Sequence, residues 1–258
     1  MDKETLKNLA KDKRYISGIY NYCDRWCERC PQTSRCLNYH IGEEEFSDPE
    51  TREINNEAFW KKMSEIMQTT LELLNDMMIS AEIDPEQLDY DGYMEEEQAI
   101  EEAAENHVVC RMAKDYIDMA DEWLDGVEDL FVRPGSDTGQ DKPESQSNND
   151  TMDVILWYQH QIYVKLNRAV SGSIEETNFD EDDNYAKDSD GSAKVALIGI
   201  DRSIAAWGGI NEILPGLYTA NIKNILIHLE KLKRQTEKTF PDARKFIRPG
   251  FDNIDLNS

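Results

Sequence analysis

The sequence predicts an all-α protein: a bundle of about four to six helices, preceded by a short segment built to hold a metal on four cysteines. Three observations carry this expectation. Several long stretches place apolar residues three and four positions apart, the period of a helix face. No stretch reads as the strand core of an α/β or β fold. Residues 23–36 read CDRWCERCPQTSRC, four cysteines at gaps C-x3-C-x2-C-x5-C.

The cysteine segment, taken as residues 1–41, comes first. Thiols this close in sequence either ligate a metal or oxidise, and the redox compartment decides between the two. The opening MDKETLKNLAKDKRY carries charges where a signal peptide needs an apolar run, so the expected compartment is the cytoplasm and the expected state is reduced and metal-bound. Tyr15 to Cys30 contains no Gly or Pro except Gly18 and reads as one helix stopped by Pro31, with Cys23, Cys27 and Cys30 on one face. Seven residues of helix rise about 10 Å. A tetrahedral zinc with Zn–S bonds near 2.3 Å needs its sulfurs within roughly 4 Å of one another. A continuous helix therefore suits a [4Fe–4S] cluster held by Cys23, Cys27, Cys30 and Cys36. A chain that turns into a knuckle at Cys27 to Cys30 would suit Zn2+, the alternative cofactor. Four protein ligands leave no open position, which favours structure or electron transfer over substrate chemistry at the metal.

The ten residues Cys27-Glu28-Arg29-Cys30-Pro31-Gln32-Thr33-Ser34-Arg35-Cys36 resemble the C-x2-C-x5-C segment that holds three ligands of the iron–sulfur cluster in RecB-type exonucleases. The resemblance implies a cluster. It does not bring the nuclease activity, which needs Asp and Glu-x-Lys on adjacent strands, and the fourth ligand is Cys23 next door instead of a distant cysteine. The C-x3-C-x2-C part is similar to the spacing in radical S-adenosylmethionine enzymes, but Cys36 would close the iron those enzymes leave open, and their α/β barrel is not in this pattern.

Charge narrows the classes of partner. The chain of 258 residues has a formal charge of −25, while residues 1–40 hold eight Lys or Arg against five Asp or Glu, net +3, leaving −28 for the remainder. Binding to phosphate backbones rests on cations that displace counterions, so nucleic acid is disfavoured as a partner. The longest uncharged run falls well short of the ~20 residues of a membrane span. The partner expected is another protein or a further copy of the chain.

A second domain, residues 50–258, is expected to be an acidic helical bundle reached through the hinge HIGEEEFSDPE. Glu53 to Ala81 reads as its first helix, with Trp60, Met63, Met67, Thr70, Leu74, Met77 and Ala81 forming a stripe assigned to the core. Glu86 to Val132 follows, its apolar line running Ile100, Ala104, Val108, Met112, Met119, Trp123, Val127 and Leu130, with Asp91-Gly92 as a candidate interruption. Flexible loops are expected near 134–150 and 171–191, on either side of a helix from Thr151 to Val170. The acidic loop lacks the ligand order of an EF-hand. Ser192 to Trp207 is the most apolar stretch, and its small residues Ala193, Ala196, Gly199 and Ala205 suggest a central helix. Leu217 to Lys238 forms the last. Phe131-Val132-Arg133-Pro134-Gly135-Ser136-Asp137 recurs as Phe246-Ile247-Arg248-Pro249-Gly250-Phe251-Asp252, read as helix-stop chemistry used twice, with a duplicated half or a repeated docking element as the alternatives.

Outside the cysteines, a carboxylate-bridged di-iron site would need Glu-x-x-His, and the residues three before His40, His107, His160 and His228 are Leu37, Ala104, Trp157 and Ile225. A polar groove is the remaining candidate: His107, Arg111 and Asp115 step by four, and Asp201 interrupts an apolar helix. Cys110 reads as a small buried residue. These features predict a cytosolic metal-binding helical protein with a structural, redox-sensing or interaction role. The alternative is an enzyme, transferring electrons through the cluster or acting on a small anion in the groove.

Overall fold

The computed structural model describes residues 1–127, 143–176, 188–213 and 219–252, and these contain eight α-helices and no strand. The all-helical expectation holds, with more helices than four to six. The chain divides into two compact units, Met1–Glu95 with Arg248–Ser258, and Glu96–Ile247. The division falls inside a helix, at residue 95, and the segment after the cysteines is helical and belongs to the first unit.

That unit contains α1 (Lys3–Ala10), α2 (Leu37–Glu45), α3 (Glu57–Ser80) and the first turns of α4 (Tyr90–Asn106). Asp2 caps α1 by accepting from the Thr5 amide at 2.9 Å, and Asn56 caps α3 by accepting from the Ala58 amide at 2.9 Å. Lys3 and Lys7 of α1 both reach Asp76 of α3 at 3.0 Å. Glu45, at the end of α2, is buried between the α-amino group of Met1 and Lys62 of α3, the latter at 3.2 Å. Burial pushes its carboxyl up, but the two cations outweigh burial and hold it below the ordinary range.

The stripe assigned to the core on α3 is not buried. Trp60 is 59 % exposed, Met67 61 %, Leu74 49 % and Met77 67 %. The helix instead turns its other side inward, towards α1 and the turn at Pro49–Arg52.

The second unit is a four-helix bundle of α5 (Val108–Val127), α6 (Pro143–Glu176), α7 (Asp188–Ile213) and α8 (Thr219–Thr239). Each helix packs on two others, in the ring α5–α6–α7–α8–α5. The α6–α7 pair is antiparallel, since Gly172 lies against Ser189, Gly199 against Tyr158 and Ile162, and Gly209 against Thr151. At Gly199 an added Cβ would stand 2.9 Å from Tyr158, so the glycine permits the close approach expected of a central helix. Ala193 and Ala196 are buried as well, while Ala205 faces out. Trp123 and Trp207 meet edge to face at 4.9 Å across the middle, and the Trp207 indole donates to the Tyr116 hydroxyl at 3.1 Å.

Three boundaries differ from expectation. The stretch read as Glu86 to Val132 is two helices, because the chain leaves helical geometry at His107. The imidazole Nδ1 there accepts from the Val109 amide at 3.4 Å, starting α5 in a new register. α6 starts at Pro143 and not at Thr151, with proline at its first position, where its missing N–H costs nothing. α6 continues to Glu176 and α7 begins at Asp188, so both ends of the segment 171–191 are helical, and residues 177–187 lie outside the described residues. The loop near 134–150 up to residue 142, and the first F-V-R-P-G-S-D copy, lie outside the described residues. Among the described residues, no helix is long and apolar enough to cross a membrane.

Candidate metal centre

The cysteine segment is not a continuous helix from Tyr15 to Cys30. It is a chain of short turns, Ile19–Asn21, Cys27–Arg29 and Thr33–Arg35, ending at Cys36, the residue before α2. Two left-handed residues break the helix, Gly18 at φ 71° and Arg25 at φ 59°. Glycine takes that conformation freely. At Arg25 it is held by local bonding, with the Cys27 amide donating to the Arg25 carbonyl at 3.0 Å. The knuckle at Cys27 to Cys30 is therefore the form adopted, with the Cys30 amide donating to the Cys27 carbonyl at 3.1 Å. The argument for a wide cluster that rested on a straight helix falls with it.

The turns bring all four cysteines to one place. Cys23, Cys27, Cys30 and Cys36 line a single pocket of ≈ 310 Å³, counted with its open mouth. Its walls are Ile19, Tyr20, Trp26 and Tyr39, together with Phe251 from the far end of the chain. All four thiols are free and half-buried. The Gln32 amide donates to Cys30 Sγ at 3.4 Å, and the Cys23 thiol donates to the Tyr20 carbonyl at 3.5 Å. Burial pushes the Cys27 thiol up, and its three sister thiols push it further. Cys30 is raised by burial and by its neighbours, against the opposing pull of the Gln32 amide. A cation in the pocket would relieve that mutual repulsion, which is the chemistry of a thiolate metal site. Among the described residues, no group of three or more His, Cys, Asp or Glu is drawn together closely enough to hold a single ion.

The C-terminal residues complete the pocket. Gly250 sits at φ 75°, and a Cβ there would stand 2.7 Å from Ile16 Cδ1 and 2.9 Å from Ile19 Cδ1. Its carbonyl accepts from Gln32 Nε2 at 2.9 Å. Arg248 folds over the turn, pairing with Asp252 at 3.0 Å and lying 5.0 Å from the Phe251 ring centre. Within the first unit, Gly250 and Phe251 of the second copy thus lie against the cysteine segment, and the copy does not stop a helix, since α8 ends at Thr239. Sequence reasoning did not place Phe251, Gly250 or Gln32 at the site. The recurrence of the motif was the available signal.

The candidate groove is arranged differently. Because α5 restarts after His107, its buried face runs through Val109, Cys110, Ala113, Tyr116, Ala120 and Trp123, and Arg111 and Asp115 face out. His107 is half-buried, and burial and then Arg111 hold its imidazole below the ordinary range. Asp201 is claimed by Lys233 at 2.8 Å and Arg244 at 2.7 Å. No hydrogen bond or ion pair among the described residues joins Asp201 to His107, Arg111 or Asp115. Cys110 is fully buried in the second unit's core, and burial pushes its thiol up to about 12. The chain matches no protein-family profile, no curated protein and no solved structure.

Proposed function

We propose that this chain is a metal-binding helical protein whose Cys23, Cys27, Cys30 and Cys36 hold a [4Fe–4S] cluster, with Zn2+, which the knuckle at Cys27 to Cys30 suits, as the alternative occupant. The observation that carries the reading is that all four cysteines line one pocket, walled by aromatic side chains and closed by Phe251 from the other end of the chain. Sulfurs arranged around a pocket, with a backbone N–H aimed at one of them, suit a cluster whose sulfurs accept hydrogen bonds and whose potential depends on exclusion of solvent. When bound, such a cluster supplies one-electron transfer. The chain's own residues supply four thiolates, the Gln32 amide and the apolar wall.

The role that follows is structural or redox-sensing. Occupancy would fix the segment between α1 and α2, where hydrogen-bonded turns and few buried side chains leave little other stabilisation. Anaerobically purified protein should be brown and contain iron and acid-labile sulfide. Stoichiometric zinc without iron would overturn the cluster and keep the site. Colourless, metal-free folded protein would overturn both.

A further inference from the structure

We infer that the exposed face of α3 is a self-association surface, on which a second copy of this chain seats its own α3. This does not depend on the metal centre. The residues that stand out on this face are Trp60, Met67, Leu71, Leu74 and Met77, each between 49 % and 67 % exposed. Trp60, Met67, Leu71 and Leu74, continued by Met78, are spaced by sevens, fours and threes. That spacing is the a/d seam along which one helix meets another like it.

Charge selects the occupant. In a chain of net charge −25, two copies can meet only where acids are kept away from the contact. The positions that flank the seam are Lys61, Gln68 and Asn75 on one side and Met63, Thr70 and Met77 on the other, with no carboxylate among them. The acids Glu65, Glu72 and Asp76 lie away from the seam, and Asp76 is already bound to Lys3 and Lys7 on the opposite side of the helix. A basic partner would find no acidic rim to dock against.

Area and preorganisation agree. The five exposed side chains offer on the order of 600 Å² per copy, so a two-fold pairing would bury roughly 1,200 Å², the lower edge of specific protein interfaces. Trp60 is held for the purpose: its indole donates to the Ile54 carbonyl at 2.8 Å and its ring stands edge-on to Phe59 at 5.2 Å. A fixed tryptophan at the end of an apolar seam is the kind of anchor that dominates binding energy.

The test is sedimentation of the full chain at tens of micromolar, wild type against Leu71→Glu/Leu74→Glu. The wild type should sediment at about twice 29.8 kDa, and the double variant as a monomer, with its dissociation constant raised more than 100-fold. Leu71 is 63 % and Leu74 49 % exposed in the single chain, so the variant should keep its circular dichroism. Trp60→Ala should weaken the dimer at least tenfold. A wild type that stays monomeric overturns the inference, and so does a double variant that still dimerises, which would move the contact to another face.

Discussion

Replacing Gly250 by alanine should undock the C-terminal residues from the cysteine segment. Two costs act at once. The backbone sits at φ 75°, where a side chain costs roughly 1–2 kcal/mol. The new Cβ would also stand 2.7 Å from Ile16 Cδ1 and 2.9 Å from Ile19 Cδ1. Both atoms end flexible side chains, so rotation relieves part of that clash and only a fraction of a typical overpacking cost of about 1–3 kcal/mol remains. A total of about 1–3 kcal/mol shifts the docking equilibrium by roughly 5- to 150-fold. The Gln32 bond to the Gly250 carbonyl is lost with docking.

Chymotryptic cleavage after Phe251 reports that equilibrium, because the ring lines the cysteine pocket and must leave it to reach a protease. When opening is fast relative to cleavage, the rate tracks the open population. Cleavage in Gly250→Ala should accelerate by the same 5- to 150-fold, after normalising each protein to its rate in urea. Loss of metal to a chelator should accelerate with it, since Phe251 closes one wall of the site. Equal normalised cleavage in the two proteins would refute the docking argument, whatever the metal does.

Alanine at Cys23, Cys27, Cys30 or Cys36 should remove most of the bound metal, whereas Cys110→Ala should leave it unchanged. Metal analysis of the five variants decides the ligand set. In the folded protein the Cys110 thiol, buried and raised to about 12, should resist alkylation at pH 8 until the second unit unfolds; rapid native labelling would refute its placement. Gly199→Ala and Gly208→Ala should move stability in opposite directions. Both gain about 1 kcal/mol in helix propensity, but at Gly199 the Cβ meets the buried Tyr158 ring at 2.9 Å, while at Gly208 it meets nothing within 4 Å. Urea midpoints at constant slope would show it. Asp201 titrates with a definite sign. Burial raises its carboxyl, yet Arg244 and Lys233 outweigh burial and hold it below its ordinary 3.8. A depressed carboxylate stabilises the fold above the unfolded value, and that contribution is lost as pH falls through the folded one. The melting curves of wild type and Asp201→Asn should therefore differ at pH 6 and close on each other only as pH falls below 3.8, through the folded value; parallel curves would refute the pairing.

Helical periodicity located the helices of the second unit because α5, α6 and α8 each bury one side in a shared core, and a repeat of 3.6 residues records burial directly. It failed on α3, where the same period marks a face that the described residues leave exposed. A stripe shows that a helix has an apolar side, and says nothing of whether this chain or another covers it. It failed differently at His107. There a single non-helical residue rotates everything after it, which is why Val108 is 36 % exposed and Arg111 faces solvent while Val109 and Cys110 are buried. A break of that kind is set by one side chain capping the next helix, a signal too local for a window of eleven or more residues.

The cysteine site was legible in its ligands and illegible in its walls. Spacing names Cys23, Cys27, Cys30 and Cys36, because thiols within fourteen residues can meet through turns alone. Nothing in that spacing points to Phe251, more than two hundred residues away. The available signal was the motif itself, since at Arg248 to Gly250 the proline fixes the entry to the turn and the glycine takes the left-handed φ that no bulkier residue adopts cheaply. At Arg248 to Asp252 that turn presents an aromatic ring on one side and an open Cα on the other, and Ile16 and Ile19 fill the space the missing Cβ leaves. The glycine therefore does two jobs, shaping the turn and admitting the isoleucines. That is why a change of one methyl group at residue 250 should be felt at four cysteines near the start of the chain.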